Sequence, residues 1–347
     1  MRKFDILLPA GFETDIDKIE RRKQRFLTNH HVHYLEGQPK GICIKIDGDY
    51  LLQRTINAYR NSRYVNNIFV IGPKWLYEDR IKDCFFIDYN VGLAENVIAG
   101  MRSLNENIVG VSPIDVLFET DHIDAYLESI EQHLGIDIIF QAVRRDALKG
   151  VDKGYDKPSY WLKENESAEK ATRVIHGPLN ISRTRVADNK MIHTMIEVFY
   201  SQRGKGIYRQ FVDIARYVVR SPDINHKNVL ARAIPKVSKF AKKQLTLEEF
   251  MDVLERCVIP RNDYKGRGKH FKVGIVPDEI APAFGLDIDT LEEDELIHAE
   301  YTPIEKIVDL PYEEILRKST ISNSQPRHQS AHREESDSQI LRADSQH

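Results

Sequence analysis

The sequence predicts an α/β fold, a three-layer α/β/α arrangement around a mostly parallel sheet with an additional helical region. Three observations predict it. Short apolar runs rich in β-branched residues, such as Ile108 to Val111, alternate with segments of helical periodicity, as βαβ units require. Several of these runs close on glycine or proline, the punctuation of strand ends. The chain has 347 residues, 41% hydrophobic and 30% charged, enough to fill the core of one large domain with additions.

Phe4 to Leu8 is the first strand, ending in Leu8-Pro9-Ala10-Gly11. A strand feeding a glycine-containing loop can turn backbone N–H groups toward a phosphate, and a simple turn would use the same residues. Asp15 to Arg25 is highly charged and reads as a helix or an extended loop. His30, His31 and His33 have no cysteine or carboxylate at a recognised metal spacing, so an exposed loop is expected there. The stretch from Pro39 to Asp49 predicts a short strand and a tight turn at Asp47-Gly48. A helix follows, with Leu51, Leu52, Ile56 and Tyr59 on its apolar face. Asn67 to Gly72 and Cys84 to Asp88 are further strands. Val91 to Asn96 opens a helix whose apolar face includes Val97, Met101 and Leu104.

Ile108 to Val111 then forms a buried strand, bounded by Ser112-Pro113, with Asp115 at its carboxyl end. Open α/β sheets bind ligands at that edge. A carboxylate there is costly to bury without a cation or hydrogen bonds, so Asp115 is the first candidate metal ligand. Beyond it, His122 to His133 reads as a helix and Asp137 to Val143 as a strand, followed by a polar connection from Arg144 to Lys157. Pro158 to Leu162 and Arg173 to Ile181 suit two strands of a smaller sheet. Residues 189–257 look mainly helical, with periodic apolar positions at Phe211, Ile214, Ala215 and Val218. They form an insertion, a substrate lid or an oligomer interface. Thr246 and Glu249 have the spacing of a capping box. Phe271 to Val276 is a return strand, and Phe284 to Thr290 leads into an acidic helix. The main domain is read as 1–300, with an extension over 301–318. The tail, 319–347, is rich in Ser, Gln, His and Arg, and is expected to be disordered.

The net charge of -3 gives no reason to expect a nucleic-acid partner. Its distribution is uneven: Ser201 to Leu245 holds eleven Lys/Arg against two Asp, whereas Pro277 to Glu300 is strongly acidic. That polarity suits an anionic ligand near one lobe and a divalent cation near another. Cys43, Cys84 and Cys257 are scattered and form no disulfide framework. No apolar run approaches the roughly 18–20 residues of a membrane span, and Asp5 interrupts the apolar start. A cytoplasmic protein is expected.

The ordered motifs resemble the nucleotidyltransferases of the GT-A, nucleotide-diphospho-sugar-transferase type, especially the molybdenum cofactor guanylyltransferase-like (MobA-like) NTP transferases. The likeness covers roughly residues 3 to 300. It is carried by L-x-A-G (Leu8 to Gly11), a lysine (Lys40 or Lys45) ahead of Ile46 to Leu52, and the strand Asn67 to Gly72. G-L-x-x-N-x-x-x-G (Gly92 to Gly100), V-x-V-S-x-x-D (Val109 to Asp115) and D-I-D-T-x-E-x-D (Asp287 to Asp294) complete the set. The resemblance implies an NTP and Mg²⁺ as ligands and a small anionic acceptor. An oxygen of that phosphorylated or hydroxylated acceptor would attack the α-phosphate and expel pyrophosphate. Asp115 and Asp289, with Asp287 as the further choice, would hold the metal. Lys40 or Lys45 would neutralise the α-phosphate as a catalytic point charge. Ala10 and Gly11 would line the triphosphate, Asn96 would bond the base or sugar, and Asn180 would face the acceptor. The first loop departs from the family pattern, because Phe12-Glu13-Thr14-Asp15 stands where further glycine and an arginine are usual. Two other readings stay open: a GT-A glycosyltransferase using a nucleotide sugar, and a non-catalytic nucleotide- or partner-binding protein.

Overall fold

The computed structural model of the protein describes residues 3–20, 35, 37–133, 136–148, 159–189, 192, 196, 236, 238–258, 270–285 and 299–321. Outside the described residues lie Asp287, Asp289, the three clustered histidines, most of the helical region 189–257, the acidic segment 286–298 and the tail from 322.

The first strand, β1 (Phe4–Pro9), is buried on both faces. Phe4, Ile6 and Leu8 enter one apolar cluster and Leu7 enters another. The alternation of the strand therefore feeds two cores, as a sheet covered on both sides requires. A short helix, α1 (Lys40–Cys43), leads into a hairpin of β2 (Ile44–Ile46) and β3 (Asp49–Tyr50). Its two-residue turn has positive φ at Asp47 (52°) and Gly48 (86°), a geometry that Asp-Gly favours. Helix α2 (Leu51–Arg60) follows, then β4 (Val65–Gly72), α3 (Lys74–Tyr77), β5 (Phe85–Asp88), α4 (Leu93–Ser103) and β6 (Ile108–Val111). In α5 (Thr120–Ile130) the side chains of Glu119 and His122 each bond the other's backbone, a capping box. The remaining elements are β7 (Ile138–Arg144), β8 (Ser159–Leu162), β9 (Thr172–His176), β10 (Asn180–Arg183) and α6 (Leu247–Val258). Then come β11 (Phe271–Ile275), α7 (Ala281–Gly285), β12 (Ala299–Tyr301), α8 (Ile304–Val308) and α9 (Tyr312–Ile321).

The main sheet has nine strands in the order β5-β4-β1-β6-β10-β7-β9-β8, with β11 on the free edge of β7. The pairings make β9 and β10 the two strands that run against the rest. The sheet is thus mostly parallel and is flanked by helices, the three-layer class expected. On one face α2 and α5 bring Ile56, Tyr59, Ile123, Tyr126 and Leu127 onto Phe4, Ile6 and Leu8. On the other, α4 packs Val97, Ile98 and Met101 against Leu7 and Val109. Each such fully buried Leu or Ile contributes about 1.5–3 kcal/mol by leaving water.

Three local expectations change. Gly41 to Cys43 belong to a helical turn rather than to a strand, because Pro39 O accepts the N–H groups of Ile42 and Cys43. Arg173 to Ile181 is two strands, not one, since Pro178 cannot donate to the ladder and the chain breaks at Gly177–Leu179. These strands and β8 also extend the main sheet instead of forming a smaller one. The small sheet is β12-β2-β3. Helix α9 carries through Ile321, with Ser319 fully buried. Among the described residues no helix is long and apolar enough to cross a membrane.

Candidate active site

The connection from β1 leads to β4 and then β5 on one side, after which the chain crosses back to set β6 on the other side of β1. The β1–β6 boundary is therefore the point where the strand order reverses, the place for a ligand crevice in an open α/β sheet. The loops that follow β1 and β6 both leave the sheet at that carboxyl edge. Ser112 N–H still donates to Leu7 O (3.1 Å), which locks the two loop bases together.

The first loop is held on three sides. Ala10 N–H donates to Ile71 O (2.8 Å), the Tyr77 hydroxyl donates to Ala10 O (2.5 Å), and Phe12 N–H donates to Asn90 Oδ1 (3.1 Å). Gly11 fits because it has no side chain: a Cβ there would stand 2.2 Å from Asn96 Nδ2 and 2.6 Å from Asn90 Oδ1. Asn96, near the start of α4, is buried, and its Oδ1 accepts the Val91 N–H (3.0 Å). Asn96 thus braces the turn before α4 and packs against Gly11.

Beyond β6 the structure forms an ion pair. Lys40, the first residue of α1, places Nζ 2.9 Å from Asp115 Oδ2, with side chains 20% and 18% exposed. The two residues are 75 positions apart in sequence. A partly exposed pair contributes at most ~1 kcal/mol to folding, so its position at the ligand edge is the more informative property. The two lysines left open by the sequence stand in different surroundings. Lys45 lies on the small hairpin with Nζ 4.8 Å from the Tyr50 ring centroid, a cation–π contact.

Asn180 pairs in register with Val111, the last residue of β6, and so reaches the same edge. Its Oδ1 accepts the Gln141 N–H (3.3 Å) and its Nδ2 donates to Pro178 O (3.4 Å). Gln141 also accepts from Leu179 N–H through Oε1 (2.9 Å) and from Gly177 N–H through its carbonyl (2.8 Å). The turn 177–179 is thereby fixed beside the Ser112–Asp115 loop. The structure thus gathers Ala10, Gly11, Asn96, Lys40, Asp115 and Asn180 at the carboxyl edge of the sheet. It sets Lys45 on the hairpin. Asp287 and Asp289 lie outside the described residues.

The sequence reading does not single out Asn90 and Gln141, whose signals are faint: a polar residue next to a strand end and a glutamine in an apolar strand. Among the described residues no group of three or more His, Cys, Asp or Glu side chains is placed to hold a metal. The Asp115 carboxylate alone fits a hard cation that takes its remaining ligands from substrate phosphates and water, as Mg²⁺ does. Burial pushes the Cys43 thiol well above its usual range, with Glu305 adding to the effect, so it is no thiolate nucleophile near neutral pH.

No family model matches the sequence, and no curated protein matches it. Solved structures do. A hypothetical transferase from Thermus thermophilus is 14% identical with a TM-score of 0.50, over 84% of this chain and 99% of that one. CMP:2-keto-3-deoxy-manno-octonic acid synthetase complexed with CTP is 14% identical (TM-score 0.40, over 62% of this chain and 84% of that one). A 4-diphosphocytidyl-2C-methyl-D-erythritol synthase from Anaerococcus prevotii is 8% identical (TM-score 0.41, over 85% and 96%). At 14% identity the likeness to the Thermus thermophilus structure is one of fold alone.

Proposed function

We propose that the chain is a nucleotidyltransferase that moves an NMP group from an NTP to a small phosphorylated or hydroxylated acceptor. The observation that carries this reading is the Lys40–Asp115 pair just beyond the end of β6, on the edge of the β1–β6 switch point that the glycine-containing first loop also leaves. In the reaction an acceptor oxygen bonds to the α-phosphorus while the bond from that phosphorus to the β-bridging oxygen breaks, and pyrophosphate leaves with the electron pair. Bound Mg²⁺ would neutralise charge on the phosphates. Asp115 would hold it, with Asp289 or Asp287 as a second carboxylate. Lys40 would turn from Asp115 to the α-phosphate and stabilise the charge that grows there. Asn96 and Gly11 would keep the loop base in place under the triphosphate, and Asn180 would orient the acceptor. The basic region 189–257 would supply charge to an anionic acceptor or join two copies of the chain.

A thermal-shift screen of the four NTPs, with and without Mg²⁺, tests this. A ligand at 100 times its Kd stabilises the native state by about 2.7 kcal/mol. The expected result is a Mg²⁺-dependent rise in Tm for at least one NTP, lost in Asp115→Asn while the unliganded Tm of that variant stays near wild type. An Asp115→Asn protein that binds the same NTP as tightly would overturn the assignment. A shift with nucleotide sugars alone would move the chemistry to glycosyl transfer.

A further inference from the structure

The first loop carries an anion of its own. Glu13 Oε1 accepts the backbone N–H groups of Thr14 (3.1 Å) and Asp15 (3.0 Å). The Glu13 side chain is only 16% exposed, and Lys18 Nζ lies 3.8 Å from its other oxygen. Two successive N–H groups converging on one oxygen are the arrangement that backbone anion sites offer to phosphate. The Phe12 N–H is engaged separately, by Asn90. The short helical turn over 16–20 has its own cap, because Asp15 Oδ1 accepts the Lys18 N–H (3.1 Å). Rotation of the Glu13 side chain alone would therefore release both donors without undoing the loop base or the cap.

Resting on the nucleotide-transfer reading, we propose that the Glu13 carboxylate occupies the phosphate seat of the first loop and competes with the polyphosphate of the substrate. The sequence alone gives acidic residues where phosphate is expected, which reads as repulsion. The structure gives that charge a position: it is folded onto the N–H groups that an incoming phosphate oxygen would use. Carboxylate and phosphate cannot share those donors, and like charges at such range repel. Polyphosphate binding then requires Glu13 to swing out toward solvent. The loop is a gated site whose gate is one side chain.

The test compares wild type, Glu13→Gln and Glu13→Asp by calorimetric titration with inorganic tripolyphosphate and with each of the four NTPs, all with Mg²⁺, and with thermal melts to check folding. Glu13→Gln removes the charge and keeps the shape. It should bind tripolyphosphate and the preferred NTP about tenfold more tightly than wild type. Glu13→Asp keeps the charge and should stay near the wild-type Kd. If the Gln variant does not fold, Glu13→Ala must show the same tightening. Equal or weaker binding by a folded, charge-free variant would overturn the inference, and if wild type still binds an NTP the transfer reading survives. Tightening in the Gln variant when wild type shows no measurable binding would support both. No binding of any ligand to any of the folded proteins would end both.

Discussion

The two halves of the main sheet are held by different means. In the parallel half, β5-β4-β1-β6, apolar side chains cover both faces of β1. In the half around β7, apolar side chains such as Ile139, Val143 and Ile175 join the same core, and polar groups add directional ties. Gln141 holds the β9–β10 break, Arg144 joins Asp278 (2.8 Å) and Glu164, and Asp137 gathers His270 (2.7 Å) and Arg185 (2.5 Å). Two carboxylates, Asp5 buried and Asp137 half-buried, state the difference. Asp5 in β1 takes its hydrogen bonds, among the described residues, from the neutral Asn66 and Asn67, and burial, with the nearby Glu106 adding to it, pushes its pKa up. Burial also pushes Asp137 up, but hydrogen bonds from His270 and Arg185, with their charges, outweigh it and hold the carboxyl below its usual range. The lesson is a division of labour. Non-directional burial makes a stiff platform whose carboxyl edge carries Lys40 and Asp115, while directional pairs set the register of strands that must reverse and bend.

The strongest way to break the platform is Leu7→Ala. Leu7 is fully buried between β1 and α4, and truncating such a leucine costs about 3–5 kcal/mol through lost transfer energy and the cavity left behind. Urea unfolding should show that loss. A change below about 1 kcal/mol would mean that the apolar half relaxes freely and is no platform.

A subtler contrast is in pH. The folded pKa of Asp5 lies above its unfolded value near 3.8, so stability falls as pH rises from that value through the raised one. The folded pKa of Asp137 lies below 3.8, so its contribution is complete above that value and is lost as pH falls through the lowered one. Asp5→Asn should therefore flatten the stability curve on the upper side of the ordinary aspartate range, and Asp137→Asn should flatten it on the lower side. Chemical denaturation across pH 2 to about 6 reads both. If each variant altered the opposite window, the electrostatic distinction between the two halves would fail.

The same contrast explains what could be read from the chain. Ile108 to Val111 and Phe4 to Leu8 announce themselves because a strand buried on both faces is a continuous apolar run, and Asp115 follows from where such a run ends. The β9–β10 break is less visible: the apolar pattern runs through it, and only Gly177-Pro178 marks the interruption. Lys40 was legible as a residue but not as the partner of Asp115, since the contact spans 75 positions and depends on where α1 lands. At Lys40 to Cys43 the alternation of Ile42 and Ile44 reads as a strand, while the carbonyl of Pro39 closes a helical turn. Glu13 illustrates the limit most clearly. Its charge is plain in the sequence, and its fold onto the Thr14 and Asp15 N–H groups is not.

The smallest expected effect sharpens the comparison at the far edge of the β7 half. Thr246 Oγ1 accepts the Glu249 N–H (3.1 Å), and Glu249 Oε2 accepts the Thr246 N–H (3.2 Å), the capping box that the spacing predicts. On either side, Lys163 N–H donates to Leu245 O (2.9 Å) and Leu247 N–H to Lys163 O (2.8 Å), so the start of α6 is tied to the end of β8. Thr246→Ala removes the cap and keeps those backbone bonds, so it should cost about 1 kcal/mol in urea unfolding. On the proposed function, nucleotide binding should not change, because the cap lies in the half that sets register and not in the half that carries Lys40 and Asp115. A fall in NTP affinity with little loss of stability would show that the two halves are coupled through β7, and the division of labour would have to be redrawn.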